Sequence, residues 1–395
     1  MLSDPHVYAR SLGASGKAFE SMRRDGTKLL DISEEILAAA LEAVSAEKPD
    51  FLIVCGDMSK DGEKESHLLA ARMFQDLETR GVPVYVVPGN HDIANRRSRG
   101  FAGDEAGPVE NIGPSDFAEI YRPFGYGEAV GEDPTSFSYA AEPLPGLRLL
   151  GLDSCRYGQD GSPPSADGRL SASTLSWARD AAGRARAQGA TVLAFMHHGV
   201  TEHFRGQALY YPQNLVADHP SVSRLLAEAG VEVVFTGHGH AQDATEARWD
   251  DGLRLIDVET GSLISYPCPL RIVTLSADGT LSIRTLLLPG RAGAPENLAV
   301  AAEEGMRRGL RMRILPRLTD LGVPEPSGRL ISAAATDGLL AFFRGDEPGQ
   351  GAGAFPPAGL DWWGGIVASF LASPLASLQT DLPPSDNDLT IHLRR

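Results

Sequence analysis

Residues 82–92 read VPVYVVPGNHD, an apolar run that ends in a cluster of polar side chains. The run at 82–87 is short and rich in β-branched residues, which is typical of a buried strand. Asn90, His91 and Asp92 follow it directly after a Pro-Gly pair. In open α/β sheets, ligand sites gather beyond the carboxyl ends of strands. This stretch therefore predicts an α/β fold with a functional site at the edge of a sheet.

Strand and helix patterns alternate through most of the chain. Further apolar runs predict buried strands at 51–55, 147–152, 190–196 and 231–235. Amphipathic patterns predict helices at 32–44, 65–79, 171–188 and 221–228. From residue 253 onward, consecutive strand patterns occur at 253–259, 269–276 and 281–287. We therefore expect a sheet covered by helices, followed by an antiparallel or mixed portion.

The C-terminal part has a different pattern. Residues 290–297 contain Gly and Pro and predict a linker. Beyond it, helical spacing occurs at 298–318, 328–343 and 361–378, with a Gly/Pro-rich loop at 345–359. Because 395 residues exceed the size at which one core usually keeps growing, we expect two domains. We predict a catalytic domain at 1–290 and a small helical accessory domain at 298–395, without chemistry of its own.

Composition excludes several classes of protein. The chain has a net charge of −16, and residues 1–290 alone, with 26 basic and 40 acidic groups, carry −14. Such a domain is a poor binder of long nucleic acids, because phosphate backbones need Lys and Arg. Three distant cysteines are too few for a disulfide framework. No apolar run is long enough to span a membrane, so we expect a soluble protein.

Histidine and carboxylate residues recur just beyond the predicted strands. The recurrent motifs, besides the one at 89–92, are Asp4-x-His6, Gly56-Asp57, His197-His198 and Gly237-His238-Gly239-His240. Each motif alone is compatible with an ordinary turn or loop. Ordinary turns do not explain five strand ends that all deliver such side chains to one edge. A set of imidazole and carboxylate ligands that includes no cysteine sulfur suits zinc, manganese or iron.

In these motifs and their order, residues 1–288 resemble the calcineurin-like metallophosphoesterases. The resemblance implies a layered α-β-β-α sandwich of two mixed sheets and two divalent or trivalent metal ions, with Mn, Fe or Zn expected. It also implies one ion held by Asp4, His6, Asp57 and His240, and a second held by Asp57, Asn90, His197 and His238. His91 would be a catalytic residue that contacts the phosphate and the leaving group rather than a ligand.

Three stretches, 89–103, 196–204 and 237–243, together with the helical C-terminal part, resemble the bacterial branch that contains cyclic-nucleotide phosphodiesterases. We therefore expect a metal-dependent phosphodiesterase that acts on a small substrate such as a cyclic nucleotide, in which a hydroxide held between the ions attacks phosphorus. Arg96, Arg97 and Arg99, in a loop-rich stretch at 95–135, could neutralise substrate phosphate or form a solvated basic loop. A phosphomonoesterase, a nuclease and a non-catalytic metal-binding protein are the alternatives.

Two features depart from the family pattern. Gly199 follows His197-His198 where many relatives have proline, which affects the substrate rim rather than the ligands. Only three residues precede Asp4, where the family has a full strand. We therefore expect that the native chain starts upstream, with either a strand or a secretion signal there. Localisation and oligomeric state stay open.

Overall fold

The computed structural model describes residues 1–158, 164–345 and 355–394. The strands lie at Leu52–Val54 (β1), Val84–Val86 (β2), Arg99–Ala102 (β3), Glu105–Pro108 (β4), Gly131–Glu132 (β5), Tyr139–Leu144 (β6), Leu147–Leu152 (β7), Thr191–Met196 (β8), Val233–Thr236 (β9), Asp243–Arg248 (β10), Arg254–Glu259 (β11), Pro269–Leu275 (β12), Thr280–Leu287 (β13) and Asp388–His392 (β14). The helices lie at Lys17–Asp25 (α1), Ser33–Glu47 (α2), Lys64–Thr79 (α3), Pro114–Tyr121 (α4), Ala172–Ala187 (α5), Gln207–Tyr210 (α6), His219–Ala229 (α7), Leu298–Asp320 (α8), Glu325–Arg344 (α9) and Trp362–Leu378 (α10).

The larger sheet has seven strands in the order β10-β11-β9-β8-β7-β6-β5. Its central strands β11, β9, β8 and β7 are parallel to one another. The strands β10, β6 and β5 pair antiparallel at the two sides. The sheet is therefore mixed, and its parallel centre brings several strand ends to one edge.

The second layer is assembled from shorter pieces. Strands β1 and β2 pair in parallel, and β12, β13 and β14 form an antiparallel sheet. The N-terminal residues join these pieces, because Leu2 bridges Val54 and Ser3 bridges Ser262. The Met1 carbonyl also accepts a hydrogen bond of 3.0 Å from the Arg271 amide. The predicted upstream start of the chain stays a prediction.

Side chains alternate between the two faces of the larger sheet, as the period of a strand requires. On β8, Leu193 and Phe195 face the core shared with the second layer. Ala194 and Met196 face the helices α5 and α7 instead. A third core packs α2 and α3 on the outer face of β1 and β2. The predicted α-β-β-α sandwich of two mixed sheets is confirmed.

The described residues of the C-terminal part form three helices, within one or a few residues of the predicted bounds, and the chain then returns to the second layer. Its final strand β14, which the sequence pattern did not predict, pairs with β13. Phe342 packs against Phe204 and Ala241, close to the predicted site. The division into domains at 290–297 stays a prediction, and residues 346–354 of the predicted loop lie outside the described residues.

Some local elements differ from expectation. The stretch predicted to be rich in loops, 95–135, contains the β3–β4 hairpin and helix α4. Among the residues that the structure describes, none of the helices combines the length and apolar character that a bilayer crossing requires.

Candidate metal centre

The predicted ligands meet at one edge of the two sheets, and their backbone there is unusual. The φ angles of Asp4, His6, Asp57, His238 and His240 are 50°, 37°, 53°, 66° and 63°. Residues other than glycine rarely adopt positive φ. Such conformations cost about 1–3 kcal/mol each and persist where the surroundings impose them, often at functional sites. The turns after the strands thus aim these side chains at one place.

A first group of ligand atoms comprises Asp4, His6 and His240. Nε2 of His240 lies 3.1 Å from Oδ1 of Asp4 and 3.3 Å from Nε2 of His6. Nε2 of His6 lies 3.5 Å from Oδ1 of Asp4. The same His6 nitrogen lies 3.5 Å from Oδ2 of Asp57. The four side chains therefore converge on a common point.

A second group comprises Asp57, His197 and His238, with Asn90 beside it. Nε2 of His197 lies 3.5 Å from Oδ2 of Asp57 and 3.0 Å from Oδ1 of Asn90. Nδ1 of His238 lies 3.1 Å from the same His197 nitrogen. Because Oδ2 of Asp57 is close to both groups, one carboxylate oxygen connects them.

These separations fit coordination of metal ions. Two atoms that each lie about 2.1 Å from a common ion stand about 3.0–3.4 Å apart in octahedral or tetrahedral geometry. The observed separations of 3.0–3.5 Å match that range closely. The donor set of imidazoles, carboxylates and one amide oxygen, without sulfur, suits Mn, Fe or Zn.

The histidine rings are oriented by main-chain carbonyls. Nδ1 of His197 donates to the Cys55 carbonyl at 2.8 Å. Nε2 of His238 bonds the Gln213 carbonyl at 3.1 Å, and Nδ1 of His6 lies 3.3 Å from the Ser59 carbonyl. In each ring the other nitrogen is the one that faces its group. Ligating histidines are commonly fixed in this way, which sets both tautomer and orientation.

The ionisable groups of the site shift one another's pKa values in both directions. Burial would raise the pKa of Asp57, but His197, His91 and His6 outweigh it and hold this pKa well below its ordinary value. Burial lowers the pKa of His6 to about 3 and also lowers that of His238. Burial would lower the pKa of His197 too, but Asp57 outweighs it and raises the pKa to about 9. The site thus holds buried negative charge that attracts cations.

Glycines make room for the close approach of the loops. A Cβ atom on Gly89 would lie 2.1 Å from both the amide nitrogen and Oδ1 of Asp57. A Cβ atom on Gly56 would lie 2.7 Å from Nδ1 of His197.

Buried Asp92 connects the loops, because it accepts hydrogen bonds from the Ser59 amide at 3.0 Å and the Gly89 amide at 2.8 Å.

His91 lies at the rim, with 21% of its side chain exposed. Its Nδ1 donates to Oδ1 of Asp61 at 2.7 Å, and its Nε2 lies 4.0 Å from Oδ2 of Asp57. The pairing with Asp61 orients Nε2 toward the ligand groups. Sequence reasoning missed Asp61, although a second carboxylate four residues after Asp57 on the same loop was a usable signal.

The fold and this geometry agree with comparisons to known proteins. The sequence profile of calcineurin-like phosphoesterases matches residues 2–242, more than half of the chain. The chain belongs to the calcineurin-like phosphoesterase family. It is 30% identical over 208 residues to a protein from Arcobacter nitrofigilis named "Probable glycerophosphodiester phosphodiesterase GpdQ". The aligned region is 51% of this chain and spans only 60% of that relative.

Solved structures share the fold of this calcineurin-like phosphoesterase. A dimetal phosphatase from Danio rerio superposes with a TM-score of 0.51 at 16% identity. The superposition covers 73% of this chain and 95% of the phosphatase. At this identity the likeness concerns the architecture.

Several candidate residues of this calcineurin-like phosphoesterase are not members of the two ligand groups. Arg96 and Arg97 are exposed, and the Arg99 guanidinium donates to the carbonyls of Arg96 and Ser98. Their role toward phosphate stays a prediction. Both nitrogens of His198 bond protein groups, Ser154 Oγ at 2.8 Å and the Ala166 carbonyl at 3.0 Å.

One cation near the ligands was also missed. Nζ of Lys28 lies 3.3 Å from Nδ1 of His6, and its side chain is only partly buried. It reaches the site from the loop after α1, and nothing in the local sequence pattern distinguishes it.

Proposed function

We propose that this member of the family hydrolyses small phosphodiesters at a centre of two metal ions. The observation that carries the proposal is Oδ2 of Asp57, which lies 3.5 Å from Nε2 of both His6 and His197. One carboxylate oxygen thus faces two groups of ligand atoms. The proposed ligands are Asp4, His6, Asp57 and His240 for one ion, and Asp57, Asn90, His197 and His238 for the other.

When bound, two such ions activate water and draw charge from the phosphoryl oxygens. The chain itself positions the ligand groups and supplies the proton for the leaving oxygen. Asp57 holds the two ligand groups together, and the neutral amide of Asn90 limits the negative charge that a phosphate meets. His91, with its Nδ1 fixed by Asp61, presents Nε2 at the rim. From there it can carry a proton to the leaving oxygen.

Two observations support a small diester as the substrate. The relative from Arcobacter nitrofigilis carries the name of a glycerophosphodiester phosphodiesterase, although it is only 30% identical over 208 residues. Residues 1–290 carry a net charge of −14, which opposes binding of a long polyanion. Glycerophosphodiesters and 3′,5′-cyclic nucleotides are both small diesters with one phosphate.

The test is a substrate panel on protein stripped by a chelator and reloaded with Mn²⁺, Fe²⁺ or Zn²⁺. The panel contains glycerophosphodiesters, 3′,5′-cyclic nucleotides, bis(p-nitrophenyl) phosphate and matched monoesters. We expect diesters to be turned over with higher kcat/KM than monoesters, and only after metal is added. Preferential monoester turnover would support the phosphomonoesterase alternative, and no turnover with stoichiometric metal would support a binding protein.

A matched pair of variants separates loss of the centre from loss of the fold. Asp57→Asn removes a shared carboxylate and should abolish turnover. Asp133→Asn changes another buried carboxylate, which is not part of the ligand groups. Asp133 accepts hydrogen bonds from the hydroxyls of Thr174 and Ser136, each at 2.7 Å. The Asp133→Asn variant should retain turnover. Equal activity of the two variants would contradict the assigned role of Asp57.

A further inference from the structure

A buried polar cluster lies behind the histidine loops, and none of the proposed chemistry uses it. We call it the His203 cluster, formed by His203, Asp243, Asp257 and Glu259, whose exposures are 1%, 4%, 0% and 2%. Nδ1 of His203 lies 2.7 Å from Oδ1 of Asp243. Its Nε2 lies 3.4 Å from Oδ2 of Asp257 and 3.5 Å from Oε2 of Glu259. One imidazole thus faces three carboxyl groups.

One carboxyl group of the cluster, that of Asp257, forms hydrogen bonds with the loop that follows β8. Oδ2 of Asp257 accepts hydrogen bonds from the main-chain amides of Val200 at 2.6 Å and Thr201 at 3.2 Å. These amides follow the proposed ligand His197 by three and four residues. Since the pairing of β8 fixes the segment before His197, β8 and Asp257 together hold the loop on the two sides of the ligand.

The same groups also hold the loop that follows β9. Oδ1 of Asp257 accepts from the Thr236 hydroxyl at 2.6 Å, at the start of the loop. Oε1 of Glu259 accepts from the Ala241 amide at 3.0 Å, directly after His240. A Cβ atom on Gly239 would lie 2.3 Å from Oε1 of Glu259, so the loop packs tightly on this carboxyl group. The cluster therefore spans the loop that bears His238 and His240.

The charges of the cluster depend on His203. Burial would lower the pKa of His203, but Asp243, Asp257 and Glu259 outweigh it and hold this pKa well above its ordinary value. Burial raises the pKa of Glu259 to about 8. The three buried acidic side chains, each within 3.5 Å of a ring nitrogen, thus favour a cation on the His203 ring. Removing the cation would leave buried negative charge unpaired, which strongly favours rearrangement of the groups around it.

We propose that His203 is a positioning residue, whose pairs with Asp243, Asp257 and Glu259 hold the two histidine loops at metal-binding separation. The inference rests on the proposed metal centre. His203 touches none of the ligands and acts on them through Asp257 and Glu259. Partners outside the coordination sphere commonly contribute 10–100-fold to metal affinity, as an order of magnitude.

The test is Mn²⁺ titration by calorimetry of metal-free native protein and of His203→Asn. Asparagine can keep the hydrogen bond to Asp243 but carries no charge and cannot reach Asp257 or Glu259. We expect Mn²⁺ affinity about tenfold or more weaker, with a lower kcat at saturating Mn²⁺. Asp133→Asn is the control for loss of a buried polar group and should bind Mn²⁺ like the native protein.

A purely structural role would lower the urea midpoint of His203→Asn and leave the Mn²⁺ affinity of its folded fraction unchanged. Affinity within twofold of native would therefore overturn the proposal. If His203→Asn does not fold, Thr236→Val decides, because it removes one hydroxyl bond to Asp257 at nearly constant shape. A native-like Mn²⁺ affinity of Thr236→Val would also overturn the proposal. Native protein that binds no Mn²⁺ would refute the proposed metal centre instead.

Discussion

Replacing Gly89 by alanine should disable the metal centre through a single added methyl group. Its Cβ would lie 2.1 Å from both the amide nitrogen and Oδ1 of Asp57. Real Cβ atoms essentially never approach closer than 3.0 Å, so Asp57 has to retreat by the difference, about 0.9 Å. Gly89 does not adopt a positive φ, so an alanine there has no backbone strain of its own.

The consequence follows from the tolerance of coordination bonds. Ligand distances vary by only about 0.2 Å around their preferred values, and misplacement by about 1 Å can cost about 100-fold in rate. We therefore expect Gly89→Ala to lose both Mn²⁺ affinity and turnover by about 100-fold. Overpacking should also lower the free energy of unfolding by about 1–3 kcal/mol.

The assays are Mn²⁺ calorimetry, hydrolysis of bis(p-nitrophenyl) phosphate and urea unfolding. Gly107→Ala is the matched control, because a Cβ atom there would meet nothing within 4 Å. The control should match the native protein in all three. If Gly89→Ala binds Mn²⁺ and turns over substrate within twofold of native, Asp57 is not held where the structure has it and the reasoning is refuted.

Three further predictions concern individual site residues. Native protein should bind close to two equivalents of metal by elemental analysis. Asp57→Ala and Asn90→Ala should both abolish turnover, and Asp57→Ala should lose more metal than Asn90→Ala. Near-native rates in either variant would contradict the ligand roles. His91→Ala should lower kcat by about 10²–10⁴-fold with two ions still bound, and the loss should be smaller for p-nitrophenyl esters, whose leaving group needs no proton. Equal losses for both ester types would exclude leaving-group assistance. Asp61→Asn should lower kcat about 10–100-fold and leave Mn²⁺ affinity unchanged, since Asp61 contacts His91; an unchanged kcat would refute this positioning role.

The patterns of the sequence were sufficient for an α/β fold with covered faces and for the set of residues that converge, and the resemblance to the family implied the sandwich of two sheets. Strand periodicity and length separated the buried strands from the helices, and polar motifs followed directly after them. Because parallel strands end at a common edge, that order implies convergence without any knowledge of distances. Asp57 and His197, for example, lie 3.5 Å apart although 140 residues separate them. The ligand roles themselves stay predictions.

Other features had no local signal. Strand β14 has only five residues, too short a pattern to predict a strand, and it forms by pairing with β13. The N-terminal residues pair through isolated bridges, such as those to Val54 and Ser262, which no periodicity reveals.

The supporting contacts of the site were decided by tertiary structure. Asp61 contacts His91 at 2.7 Å, and Glu259 accepts a hydrogen bond from the Ala241 amide at 3.0 Å. Periodicity reports which face of an element is buried, whereas a hydrogen bond depends on the relative placement of two elements to within a fraction of an ångström. That placement results from packing of the whole chain. The sequence therefore determined which side chains reach the edge, and only the tertiary structure decided which groups hold them there.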